Sequence, residues 1–148
     1  MNILLLFLSL GLAGASPSVS ASSVAVCLNE TPGTALPSLV GTTSHKEFWD
    51  LMSTAIDWAT GAAPGSGDCT PSLARIDVSE QYLTSIQGGG HTVTVNVSIL
   101  PTDPTQKKAS FHEESPVGER GAASAYRESS VRATLDIANW LTTHPASH

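Results

Sequence analysis

Three consecutive glycines, Gly88-Gly89-Gly90, separate two strand-like runs, and this break limits the possible folds more than any other stretch of the chain. After it, Val93, Val95, Val97 and Ile99 alternate with polar residues, the pattern of a half-buried strand over Thr92 to Leu100. Before it, Ala74-Arg75-Ile76-Asp77-Val78 opens a strand that continues through Gln81-Tyr82-Leu83. The two runs form a hairpin whose tip is Thr84-Ser85-Ile86-Gln87-Gly88-Gly89-Gly90. Glycine lets backbone pass close to another surface, so the tip is either a plain turn or a point of contact with a partner.

Upstream, Ser44-His45-Lys46-Glu47 has capping-box spacing, a hydroxyl followed three residues later by a carboxylate. Phe48, Leu51, Met52, Ala55, Ile56 and Ala59 then recur at helical spacing, with Asp50, Ser53, Thr54 and Asp57 on the opposite face. The expected helix runs from Ser44 to Thr60 and stops at Gly61. Alone it is marginal, so its apolar face must pack on the sheet. Downstream, Pro101 to Ser124 is polar and aperiodic and reads as a long surface connection. Ser129 to Leu141, in which Val131, Ala133, Leu135 and Ile137 alternate, reads as a further strand ending in Asn139-Trp140. One helix followed by antiparallel strands gives an α+β fold, a long helix packed across a curved antiparallel sheet.

The first 21 residues carry an apolar run from Ile3 to Leu12 and end in Val19-Ser20-Ala21, the pattern of a secretory signal cut after Ala21, with Ala15 the other candidate. The remainder, 22–148, is one domain with an extended arm over 22–43 and a disordered tail over 142–148. The run is too short to span a bilayer, which excludes a membrane partner reached by a spanning helix. The formal net charge of −6 and the absence of any basic run argue against nucleic acid or anionic lipid as partners. Two cysteines, Cys27 and Cys69, most simply form one disulfide in an exported chain, two free thiols being the alternative. Asn29 and Asn96 begin glycosylation sequons, relevant only to a eukaryotic source.

Chemistry is sparse. A catalytic cysteine beside His91 competes with the disulfide. His144 and His148 are four apart, but Pro145 breaks the helix that would pair them as metal ligands. Glu113-Glu114 reads as a solvated charge pair. With no phosphate loop, zinc spacing or nucleophile elbow, the expectation is a protein that is not an enzyme and carries no cofactor and no metal.

Taken together, Leu39-Val40-Gly41, the tip Thr84 to Gly88 and Asn139-Trp140 resemble the three contact segments of the cystatins, secreted inhibitors of papain-like cysteine proteases. In that family an apolar arm ending in glycine, a Q-x-V-x-G hairpin and a Pro-Trp hairpin form a wedge. Thr84 stands where the family has Gln and Asn139 where it has Pro, while Ile86, Gly88 and Trp140 match. The resemblance implies a cystatin-like fold and a monomer. It implies protease contacts through Leu39, Val40, Gly41, Thr84, Ser85, Ile86, Gln87, Gly88, Asn139 and Trp140. Its alternative is a cystatin-fold binding module that does not inhibit proteases.

Overall fold

The expected hairpin forms the middle of the sheet. In the computed structural model, which describes residues 24–33, 36–84 and 90–145, β2 (Pro71–Thr84) pairs antiparallel with β3 (His91–Pro101), in register from Thr84 opposite His91 to Ala74 opposite Pro101. The tip 85–89 lies outside the described residues. Around this pair the described chain adds β1 (Val24–Thr31), α1 (Leu36–Thr60), β4 (Ala109–Pro116) and α2 (Ala122–Thr143). The sheet order is β1-β2-β3-β4, with β1 parallel to β2 and β4 antiparallel to β3. The fold is therefore α+β, but the sheet is mixed and carries two helices.

Register sets which side chains share a face. Val26, Leu28 and Glu30 of β1, Ala74, Ile76, Val78 and Glu80 of β2, and Val93, Val95, Val97 and Ile99 of β3 all point to the helices. Phe48, Met52 and Ile56 of α1 and Tyr126, Ala133, Ile137, Trp140 and Leu141 of α2 close the same core. The opposite face of the sheet has no helix on it in the described chain and is polar, with Asp77, Ser79, Asn96, Ser98 and His112 lining a shallow groove. Because β1 and β4 both run parallel to β2, both helices return in the same direction and lie side by side. Phe48 meets Tyr126 edge-on with ring centroids 5.7 Å apart, and Arg127 pairs with Glu47 at 3.2 Å.

Four expectations fail, each for a physical reason. The arm over 22–43 is instead strand β1 and the start of α1, because Val26, Cys27 and Leu28 are fully buried and β1 completes the sheet beside β2. The helix begins at Leu36 rather than Ser44, since a first turn anchored by buried Leu36 and Val40 is joined to the main helix across Gly41 (φ 81, ψ 156). That backbone region is essentially restricted to glycine. The loop expected over 101–124 contains β4, a polar edge strand with solvent on one face and along its outer edge. The strand expected over Ser129 to Leu141 is part of helix α2, whose buried positions recur every three or four residues. The antiparallel, single-helix cystatin architecture is overturned by the parallel β1–β2 pair and by α2.

Candidate functional site

Two of the inward-facing sheet positions hold glutamates. Glu30 is the last inward residue of β1, opposite Val78, and Glu80 sits two residues beyond Val78 on β2, so their carboxyl groups meet diagonally on the core face. The Glu30 side chain is 4% exposed and Glu80 is 1% exposed. Burial first, and then the facing Glu80, push the Glu30 carboxyl up to about 9. The Tyr126 hydroxyl donates to Glu80 Oε1 at 2.8 Å, and burial, followed by the charge of Glu80, raises its pKa too. From α1, His45 places Nε2 at 2.9 Å from Glu30 Oε1. The angle there is not that of a hydrogen bond, and Nε2 is itself buried although the ring is one-third exposed. Glu30 Oε2 and Glu80 Oε2 have no hydrogen-bond donor.

Local sequence explains each placement. In Val-Cys-Leu-Asn-Glu the even positions 26, 28 and 30 face inward, which carries Glu30 into the core at the strand's end. Gly33 then lets the chain turn directly over β2, where an added Cβ would lie 2.4 Å from the Glu80 carbonyl oxygen. A solvent groove lined by Thr31, Pro32, Gly33, Glu80, Tyr82 and Leu83 leads to this end of the sheet. Sequence reading missed both glutamates, although a carboxylate at an inward position of an apolar alternation was the available signal.

A second polar group lies on β4. Arg132 of α2 donates to Glu113 Oε2 at 3.1 Å, to the Glu114 carbonyl and to Ser115 Oγ, while Ser129 bridges Ser115 and the Val93 carbonyl. Burial and the nearby Glu113 raise the Asp136 carboxyl to about 6, against the pull of Arg132. Glu113-Glu114 is thus a strand segment held by α2, not a solvated loop pair.

Between the helices an apolar cleft of about 230 Å³ is floored by Phe48, Leu51, Tyr126 and Val131 and rimmed by Ser44, Glu47, Arg127 and Ser130. Leu51 (40% exposed), Trp58 (78%), Val131 (41%) and Leu135 (62%) extend apolar surface along the same two helices.

The protease-contact residues expected from sequence do not form one edge. Leu39, Val40 and Gly41 belong to α1, with Val40 buried and Leu39 exposed. Thr84 ends β2 and contacts His91 Nδ1 through its hydroxyl at 3.3 Å, while Ser85, Ile86, Gln87 and Gly88 fall outside the described residues. Asn139 and Trp140 sit in the last turn of α2, about 27 Å of helix from its start. The chain entering α2 starts beside the tip, where Val117 N donates to the His91 carbonyl, and the helix moves away from it as Ser129 meets Val93 and Asp136 meets Glu113, which lies opposite Val95. Trp140 is 5% exposed and stacks on His144 at 4.3 Å, so it is a core residue rather than a hairpin anchor.

Cys27 and Cys69 are bonded, with Cα atoms 6.0 Å apart. The Asn29 amide donates to Asp77 and its oxygen accepts from Gly67 N, and Asn96 faces His112 across the polar side of the sheet.

The class defined by these features is a two-layer α+β domain with a mixed four-stranded sheet and both helices on one face. No protein-family model and no curated protein matches the chain. Among solved structures it is similar to a Xanthomonas campestris protein of the DUF330 family model, at 10% identity and TM-score 0.47, covering 87% of this chain and 90% of that one. It is also similar to a candidate lipoprotein from Caulobacter crescentus CB15, at 11% identity and TM-score 0.36, covering 83% of this chain and 94% of that one. Neither is a cystatin, and the cystatin resemblance, with the protease inhibition drawn from it, is withdrawn on the architecture above.

Proposed function

We propose that this chain is an exported, non-catalytic binding domain whose outer helical face receives a basic amphipathic helix of a partner protein. The observation that carries this reading is the apolar cleft between α1 and α2, lined by Phe48, Leu51, Tyr126 and Val131, on helices that also expose Trp58 and Leu135. At about 230 Å³ the cleft is smaller than the roughly 300–1,000 Å³ typical of small-molecule sites, and it is open along two parallel helices. Its shape suits one or two anchoring side chains of a helix laid in a groove. An apolar centre with a polar rim is the usual anatomy of such contacts. Glu47 and Asp50 are paired with Arg127 and Lys46, so the partner's charge follows from exposed Asp57 and Glu128 and from the net charge of −6. The disulfide and the apolar leader favour an oxidising, extracytoplasmic location.

The test is titration with a synthetic amphipathic helix of leucine and lysine, with a scrambled peptide of equal composition as control. Trp58 emission should shift, and amide shifts should be confined to α1 and α2. Leu135→Glu should abolish both responses without changing the far-UV spectrum. Equal responses to the scrambled peptide, or shifts spread over the polar sheet face, would sink the reading. Concentration-dependent dimerisation removed by Leu135→Glu would instead make a second copy of the chain the occupant.

A further inference from the structure

Glu30, His45 and Glu80 come from three different elements, and one oxygen or nitrogen of each lies within 4.8 Å of the others. Two of these side chains are more than nine-tenths buried, and each keeps a carboxylate oxygen with no donor aimed at it. A buried carboxylate oxygen without a donor gives up its hydration with nothing in exchange, a loss that a bound cation would make good. His45 Nε2 points into the same space, at charge-contact distance from Glu30 but without hydrogen-bond geometry. We propose that Glu30, His45 and Glu80 bind a divalent first-row transition ion, of which Zn²⁺ is the probe.

The donor set fits that class. Imidazole nitrogen suits zinc, copper, iron and nickel, whereas calcium and magnesium prefer all-oxygen sites. Ligands about 2.0–2.2 Å from zinc lie about 3.3–3.6 Å from one another in a tetrahedron. The three atoms need draw together by only about an ångström or so from the present 4.8 Å bound. The Tyr126 hydroxyl already holds Glu80 Oε1, which orients Glu80 and leaves Oε2 for the ion, the arrangement expected of a residue one step outside a metal site. Three protein ligands leave a fourth position for water or an exogenous ligand. None of this depends on the interhelical seam, so either proposal stands or falls without the other.

The experiment is calorimetric titration of the purified, disulfide-bonded protein with ZnCl₂ after chelator treatment, with thermal melts alongside. One tight equivalent per chain is expected, with a melting temperature that rises on saturation. His45→Ala, at a partly exposed helix position, should weaken binding at least about tenfold and abolish the melting shift while leaving the apo melt close to wild type. Tyr126→Phe should weaken binding by about 10–100-fold through the outer contact alone. His112→Ala, beside Glu114 on the opposite face of the sheet, should change nothing. Absence of the tight equivalent would overturn the proposal. So would loss of the equivalent in His112→Ala, or its survival in His45→Ala.

Discussion

Glu30 concentrates the molecule's pH dependence in one side chain. Its carboxyl titrates near 4.5 when exposed and is pushed to about 9 in the fold by burial and by Glu80. Between those values the folded state binds a proton that the unfolded state has lost, so stability falls as pH rises, by at most about 1.4 kcal/mol per unit for one proton. The contribution is fully present below 4.5 and gone above 9. Asp136, raised to about 6, adds to the slope at the acid end of that window. With chelator present throughout, denaturant midpoints should therefore decline from pH 5 to pH 9. Glu30→Gln, which keeps the shape and cannot ionise, should flatten most of the decline. A wild-type protein more stable at pH 9 than at pH 5 would show the buried pair to be ionised in the fold. Gly33 is the companion case, fixed by contact rather than by charge. Its absent Cβ would meet the Glu80 carbonyl at 2.4 Å, a backbone atom that cannot swing away. Gly33→Ala should lower unfolding free energy by about 1–3 kcal/mol, read from urea denaturation, with the larger values if β1 must shift.

At the scale of elements, α2 shows where sequence reading succeeded and where it failed. The central hairpin was legible because Val93, Val95, Val97 and Ile99 are all apolar and all buried, so composition and burial told one story. The middle of α1 was legible for the same reason through Phe48, Met52 and Ile56. In α2 the buried stripe runs Ala125, Tyr126, Ser129, Ser130, Ala133, Thr134, Ile137, Trp140 and Leu141, and three of its members are hydroxyl residues. Ser129 is buried because it bridges Ser115 and the Val93 carbonyl, and Thr134 because it bonds back to the Ser130 carbonyl. Val131 and Leu135, the residues that created the false alternation, are exposed. The helical period was present, but polarity hid it. β1 and β4 were hidden differently: β4 is polar because only one face is covered, and the glutamates of the candidate metal site invert the expected polarity at inward positions. Trp140 gives this scale its prediction. As the stacked, 5%-exposed end of that stripe, Trp140→Ala should destabilise the fold by about 3–5 kcal/mol. It should leave binding of the leucine–lysine peptide unchanged per folded molecule, measured by calorimetry on protein kept well below its melting temperature.

For the whole molecule, the weak point of this topology is the β1 edge. β1 is joined to β2 in parallel only after a crossover through α1, and its far side would present open backbone to other chains. The segment after α1 closes that side. Leu28 N donates to the Gly65 carbonyl at 2.8 Å, Gly65 N donates to the Val26 carbonyl at 2.9 Å, and Cys27 between them is bonded to Cys69. The disulfide spans 42 residues that include all of α1, so cross-linking removes a large loop-closure entropy from the unfolded chain, about 4 kcal/mol. It also fixes the strand that carries Glu30 beside the strand that carries Glu80. Two consequences should follow when Cys27 and Cys69 are both replaced by Ala. The denaturant midpoint should fall by an amount that corresponds to about 2–5 kcal/mol, with the m-value rising as the unfolded chain expands. The freed β1 edge should make the variant self-associate at concentrations where the oxidised protein stays monomeric in sedimentation. A variant that loses stability yet remains monomeric would mean that the Gly65 hydrogen bonds alone hold the edge closed, and that the cross-link acts only on the unfolded state.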